Sequence, residues 1–237
     1  MQVHTNDRAA QQKIYLSLVY LVLALGFLLG GCVLSSNPEA FDQSFVASLA
    51  SLAAGLFFWW LNQRLIRRWG PKSRLDGPLA RALRGLDDRH HLFVFPASSL
   101  PDYLLVGPVG ILVLVPRAIG GNVKCYEGRW LHDDNRPPIA RAIRFLAPGP
   151  PLGNPSAEVQ RGISTVRRFL GRHAPAELAD RTGVDGIVVF TEPKVNLTLQ
   201  GCRTPALSLR SLRSHIQRSP RALSSSETAD LARLMGG

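Results

Sequence analysis

The stretch Pro101–Arg117, PDYLLVGPVGILVLVPR, decides the fold of this chain. Tyr103–Val106 and Gly110–Val115 are two short apolar runs rich in Val, Leu and Ile, and Gly107-Pro-Val-Gly110 lies between them. Two glycines and a proline supply turn conformations that other residues resist. The pattern predicts a β-hairpin whose strands are largely buried. Asp102 opens the first strand and Arg117 closes the second, so the return brings a carboxylate and a guanidinium towards one end.

Around that hairpin, 237 residues with a formal net charge of +11 and 46% hydrophobic side chains leave room for about one soluble domain and one further apolar element. The apolar element comes first. Of the 28 basic residues 26 follow Leu61, as do 14 of the 17 acids, so this C-terminal part carries +12. A basic domain favours phosphate-rich partners, nucleic acid or an anionic membrane surface. The blander account is a GC-rich coding bias, since arginine outnumbers lysine 24 to 4. Cys32, Cys125 and Cys202 are widely spaced with no CxxC pair, which argues against a disulfide framework and a zinc site, and fits a reducing cytoplasm.

Ile14–Leu34 is 21 residues without a charged side chain, long enough to cross a hydrocarbon core of about 30 Å as a helix. Phe45–Leu61 is a second such segment and ends in Phe57-Phe58-Trp59-Trp60, a cluster suited to the membrane–water boundary. The expected organisation is a cytoplasmic N-terminus (1–13), a first span (14–34), an external loop (35–44), a second span (45–61), a basic linker (62–76), an α/β domain (77–217) and a tail with a weak helix (218–237). The loop holds Glu39 and Asp42 and no basic residue, whereas Arg64, Arg67, Arg68, Lys72 and Arg74 follow the second span. Positive charge collects on the cytoplasmic side. Both termini are therefore expected in the cytoplasm, with Trp59, Trp60, Arg64, Arg67 and Arg68 at the interface of the cytoplasmic membrane.

Leu29-Gly30-Gly31-Cys32 also resembles a lipoprotein cleavage box that would lipidate Cys32, although the apolar run is long for a signal core and glycine stands where alanine or serine is commoner. Gly26 and Gly30 form GxxxG, and Ala47, Ser51 and Gly55 recur every four residues. Such stripes let helices approach closely in lipid, packing the two spans together or pairing two copies of the chain.

In the C-terminal part, Pro78–Leu86 carries Leu79, Leu83 and Leu86 on one helical stripe. His91–Phe95 reads as a short strand ended by Pro96, and adjacent His90 and His91 would point to opposite faces, a poor arrangement for one metal. Val123–Tyr126 is a further strand, with Glu127–Trp130 as the turn and edge after it. Asp133–Pro155 is a Pro-, Gly- and Arg-rich surface loop. Asn154-Pro155-Ser156 starts a helix with Val159, Ile163, Val166 and Leu170 on its buried stripe and Arg161, Arg167, Arg168 and Arg172 on the other faces. Val184–Phe190 is the most strand-like run and is expected near the centre of the sheet. Ala206–Leu209, Ser211–Gln217 and Thr228–Met235 complete the order as strand, helix and helix, and Asn196-Leu-Thr198 is discounted as a sequon on the cytoplasmic side. The order implies a mixed β-sheet flanked by helices.

Asp102 to Arg117, Gly120–Lys124, Gly128-Arg-Trp130, Asn154-Pro155 with Gln160, and Val188–Phe190, in this order and spacing, resemble the NERD (nuclease-related) domain of the PD-(D/E)xK endonuclease-like superfamily. The likeness covers roughly residues 77–217. It implies a restriction-endonuclease-like fold and, in intact members, metal-dependent cleavage of nucleic acid. That chemistry places an acid on the first hairpin strand and an acid-x-lysine on the second, so that carboxylates hold Mg²⁺ and the lysine positions or activates water. Here the first acid is Asp102, the second position is Val115 and the lysine position is Arg117, while an earlier glutamate falls on Pro78. Valine has no ligand atom, and arginine does not give up its proton near neutrality. Asp87, Asp88 and Glu158 are candidates for a migrated carboxylate, and Asp102 for an ion pair with Arg117.

The expectation is a membrane-anchored, catalytically degenerate NERD-like module with no catalytic residues, no metal and no cofactor. Asp102, Val115, Arg117 and Gln160 would be vestigial, and Arg117, Lys124, Arg161, Arg167 and Arg168 would contact phosphate. Beyond the lipid bilayer its partner would be nucleic acid or another membrane protein. Two alternatives are a membrane-tethered nuclease using Mg²⁺ and a protein whose basic surface binds anionic lipid. No nucleotide loop, Ser-His-Asp set, haem or flavin motif points to another enzyme class.

Overall fold

The structure, a computed structural model, describes residues 1–5, 7–35, 41–69, 75–95, 99–133 and 152–236, and the side chains at 5, 7–10, 13, 34–35, 41–44 and 67–69 fall outside that description. Lys72, Arg74, Pro96, most of the expected loops 35–44 and 133–155, and the side chains of Arg67 and Arg68 therefore lie outside the described residues. The chain divides into two compact units, residues 6–74 and residues 1–5 with 75–237.

The second unit is built on the predicted hairpin. Strands β3 (Tyr103–Gly107) and β4 (Gly110–Arg117) pair antiparallel, Gly107 facing Gly110. Gly110 has φ +112°, and a side chain there would run into the Gly183 carbonyl, so the turn requires glycine. On its other edge β4 pairs in parallel with β7 (Val184–Phe190), from Ile111↔Val184 to Arg117↔Phe190. With β1 (Gln2–Thr5), β2 (His91–Val94) and β9 (Ala206–Ser208) these make a six-stranded mixed sheet in the order β1-β2-β3-β4-β7-β9.

Alternation splits the core into two layers. Ile111, Val113 and Val115 face Val159, Val166 and Leu170 of α4 (Pro155–His173) and Leu231 and Met235 of α7 (Ser225–Gly236). Leu112 and Leu114 face Leu79 and Leu83 around α3 (Asp76–Ala82), and Leu212 and Ile216 of α6 (Leu209–Arg218). A short helix, α5 (Ala176–Arg181), follows α4 and was not predicted. The chain enters α7 through a capping box: Ser224 Oγ accepts the Glu227 amide at 3.3 Å and the Glu227 carboxylate accepts the Ser224 amide at 2.8 Å. That bond, with the Ser224 hydroxyl, holds the Glu227 carboxyl below the ordinary range.

A second, three-stranded sheet in the order β6-β5-β8 contains β5 (Gly121–Tyr126), β6 (Arg129–Asp133) and β8 (Val195–Gln200). The sequon-like Asn196-Leu-Thr198 lies in β8, a strand the sequence reading leaves out. Cys125 and Cys202 are joined in a disulfide with Cα atoms 6.2 Å apart, which corrects the reading of three unpaired cysteines. The two are 77 positions apart. Parallel pairing of β5 with β8 sets Cys125 against Leu199, and the turn at Gly201 carries Cys202 to it.

The other unit is two helices, α1 (Asp7–Ser35) and α2 (Phe41–Trp69), packed on each other and containing stretches, Ile14–Val33 and Phe45–Ile66, long and apolar enough to cross a membrane. Leu18, Val22 and Leu25 of α1 and Phe45, Leu49 and Leu56 of α2 are exposed, as a lipid-facing surface requires. Their seam uses Ser17, Ala24 and Gly31, seven residues apart, against Ser48, Ser51 and Gly55. Ser48 Oγ donates to the Gly31 carbonyl at 3.1 Å, and a side chain on Gly55 would lie 2.8 Å from Leu28. A Cβ added at Gly26 of the GxxxG pair would meet nothing within 4 Å among the described residues, so Gly26 lies off this seam. Trp59 and Trp60 are exposed, and the Arg64 guanidinium lies 5.6 Å from the Trp60 ring. The helix continues to Trp69, so the first half of the expected linker 62–76 is helical.

The N-terminal residues are not a free tail. Strand β1 pairs in parallel with β2, Gln2 opposite His91 and Thr5 opposite Val94. The His4 ring stacks on Phe93 and lies 3.3 Å, nitrogen to nitrogen, from His91. The Met1 amine donates to Asp88 at 2.9 Å, while His90 pairs with Asp87, whose carboxyl burial pushes up but the Arg89 and His90 hydrogen bonds and charges bring below its ordinary range. Burial, followed by the charges of His4, the Met1 amine and His90, pushes the His91 imidazole down.

Two outcomes follow from these contacts. A lowered His91 means the folded chain takes up its proton less readily than the unfolded chain, so this stabilisation is full above the ordinary histidine value of about 6.5 and is lost as pH falls through the folded value. Thermal melting of the full chain in detergent should therefore drop between pH 7.5 and 5.5, and His91→Gln should flatten that dependence. Reducing the disulfide, or Cys202→Ser, should lower the denaturant midpoint of the α/β unit by an amount equivalent to about 2–4 kcal/mol, read by comparing reduced and oxidised protein.

Candidate functional site

Strand β4 leaves the core at its last residues: Val115 is buried, and Pro116 and Arg117 are partly exposed. Alternation sends Val113, Val115 and Arg117 towards α4. That helix starts where Asn154 Oδ1 accepts the Ala157 amide at 3.1 Å, with Pro155 next. The start sets Glu158 in the first turn, where the helix dipole favours a carboxylate.

Across this gap Arg117 Nη2 donates to Glu158 Oε1 at 2.5 Å. Arg117 Nε is buried and has no hydrogen-bond partner among the described residues. Trp130 of β6 stands beside the pair's helix, its Nε1 donating to Ser156 Oγ at 2.8 Å and its ring 6.1 Å from that of Phe190. The Arg117 carbonyl accepts the Thr191 amide at 2.9 Å, which holds the strand end in place. Asp102 is exposed immediately before β3, and its carbonyl accepts the Phe95 amide at 2.9 Å. Extending the register Leu104↔Val113 by two residues sets Asp102 opposite Val115.

The structure thus brings Arg117 to Glu158 and, through register, Asp102 to Val115. Gln160, Arg161, Arg167 and Arg168 are exposed on the outer side of α4, with Arg161 Nε turned back to the Ala157 carbonyl at 3.3 Å and Arg168 Nε to the Ser164 carbonyl at 3.4 Å. Lys124 is exposed on β5, in the second sheet. Asp87 is engaged by Arg89 and His90, and Asp88 by the Met1 amine. The sequence reading offers Glu158 as a candidate migrated carboxylate and Asp102 as the ion-pair candidate for Arg117, and misses Glu158 as the guanidinium's partner. The cue was the Asn154-Pro155 start, which fixes Glu158 one turn into a helix that packs over β4.

Magnesium requires several oxygen ligands. Val115 offers none, the Glu158 carboxylate is engaged by a guanidinium, and Arg117 adds positive charge where a cation would sit. These donors do not fit Mg²⁺. Among the described residues no three His, Cys, Asp or Glu side chains gather as metal ligands. What the arrangement offers is a partly buried cation with one unsatisfied N–H, at a strand end beside an arginine-bearing helix.

Comparison with protein-family models, with curated proteins and with solved structures finds no match to this chain.

The pair is partly exposed, Glu158 at 38%, so its direct contribution is small. Glu158→Gln should cost on the order of 1 kcal/mol in chemical denaturation. The same substitution frees Arg117 and should strengthen binding of a phosphate-bearing ligand, checked by titration with a short DNA duplex.

Proposed function

We propose that this protein is a membrane-anchored NERD-like module that binds nucleic acid through phosphate contacts at the cytoplasmic face of the membrane and does not cut it. The observation that carries the reading is the Arg117–Glu158 pair beside Val115: where the resemblance calls for acids around a metal, this chain has a hydrocarbon and a guanidinium already matched by a carboxylate. A restriction-endonuclease-like fold is part of the same proposal, supported by the mixed sheet with helices on both faces and by the antiparallel hairpin joined in parallel to β7. Phosphate contacts would come from Arg161, Arg167 and Arg168 along α4, with Arg117 and Lys124 as further cations. Binding of this kind is driven by release of counterions from the phosphate backbone.

The compartment rests on two observations that pull apart. Arginine after α2 and acid in the preceding loop favour a cytoplasmic domain, whereas a disulfide is commoner in oxidising compartments. Charge governs insertion, so the cytoplasmic side is preferred. Pairing of β1 with β2 supports an even number of crossings between Thr5 and Leu75, because both strands belong to one sheet.

The test uses the full chain in nanodiscs. Fluorescently labelled duplex DNA should bind with a steep salt dependence, and Arg161→Glu with Arg168→Glu should lower the salt slope by about one per arginine. Plasmid incubated with Mg²⁺ or Mn²⁺ should remain intact. Cleavage that disappears in Asp102→Ala would establish the nuclease reading instead, and absence of DNA binding at low salt would leave a protein partner in its place.

A further inference from the structure

We propose that the outer surface formed by α3 and α6 docks onto anionic phospholipid headgroups, on the opposite face of the sheet from α4. Helix α6, LRSLRSHIQR, contains three arginines and no acid. It buries Leu212 and Ile216 against the sheet and exposes Arg210, Arg213, Ser214 and Arg218. Helix α3 and the turn after it bury Leu79 and Leu83 and expose Arg81 and Arg84. The two helices pack on each other, and the Arg213 guanidinium covers Gly85, where a Cβ would lie 2.9 Å from its central carbon. Arg213 is thereby brought beside Arg84, next to that glycine in the chain.

These cations are unmatched. Among the described residues no acidic partner is seen for Arg84, Arg210, Arg213 or Arg218, as none is for Arg161, Arg167 and Arg168 of α4, while Arg117 pairs with Glu158 and Arg181 with Glu227 at 2.8 Å. Like charges gathered without counter-charge repel. An external polyanion relieves that repulsion, and a bilayer is the one held permanently in reach. Helix α2 ends at Trp69 and α3 begins at Asp76, a connector spanning at most roughly 25 Å. Tethering of that kind converts weak surface attraction into an intramolecular contact. A nucleic acid gains no such advantage, which is why this surface is assigned to lipid. Each basic side chain near an anionic leaflet is worth roughly a fivefold change in occupancy. The inference stands apart from the nucleic-acid reading, since it concerns other residues on the other face.

The experiment uses the full chain carrying Cys32→Ser, reconstituted in nanodiscs that contain a headgroup spin-label quencher. A fluorophore is attached through Ser214→Cys on α6 or, in a separate protein, through Ser164→Cys on α4. In phosphatidylglycerol discs at low salt the α6 probe should be quenched more strongly than the α4 probe. The excess should vanish in phosphatidylcholine or at high salt, and Arg213→Glu, a change of two charge units, should lower the docked-to-free ratio roughly 25-fold. Equal quenching of the two probes, or α6 quenching indifferent to lipid charge, would overturn the assignment. So would protection of the α6 probe by added duplex DNA without any response to phosphatidylglycerol. Near-ultraviolet circular dichroism of Arg213→Glu, unchanged from the parent, separates loss of docking from loss of fold.

Discussion

The constraint on which the α/β unit depends is that β4 is covered on both faces while being paired on both edges. Seven consecutive residues keep one parallel register with β7, and four keep an antiparallel one with β3. A slip of one residue would exchange Val113 and Val115 with Leu112 and Leu114, and each set is packed against different helices, so the register is fixed. Two glycines let α4 settle on this surface: a Cβ on Gly162 would come 2.6 Å from Val113, and one on Gly186 would collide with Val159. The close seat of α4 puts Glu158 within reach of Arg117. The ion pair is therefore a result of packing, not an independent anchor.

What was legible in the sequence follows the range of the forces involved. The hairpin, β7 and α4 could be read because their patterns are local: apolar runs bounded by glycine, and a stripe of Val159, Ile163, Val166 and Leu170 behind a capped start. Strand β8 was missed although VNLTLQ alternates apolar and polar residues, a strand signal; only Val195 and Leu197 turn partly inward, and the strand pairs in a small separate sheet. The disulfide was missed because a parallel pairing, not spacing, brings Cys125 to Cys202. Helix α2 was cut short at Leu61, since a rule based on bilayer thickness ends where charges begin while the helix itself continues past them. At the site, Val115 and Arg117 could be placed on the second hairpin strand from sequence alone, whereas Asp102, expected to open the first, lies one residue before β3. The match of Arg117 with Glu158 could not be read, because it needs the position of α4.

The two faces of the six-stranded sheet carry different electrostatics although both bear arginines. On the α4 side Arg117, at the end of β4, is paired with Glu158, and Arg161, Arg167 and Arg168 are exposed along the helix. On the α3 and α6 side they stand unmatched on amphipathic helices whose apolar residues are used in the core. A single net charge conceals this difference. It also explains why composition alone could not separate coding bias from a functional surface.

Strand β1 imposes an order on biogenesis. Its partner, His91–Val94, is made almost ninety residues later, after both apolar helices. Until then β1 is without its partner, and a β2 that forms without β1 has a bare edge open to pairing with other chains. The sheet is sealed only once the chain has run through both apolar helices and returned, so a chain in which β1 fails to reach β2 would expose that edge and be prone to aggregation.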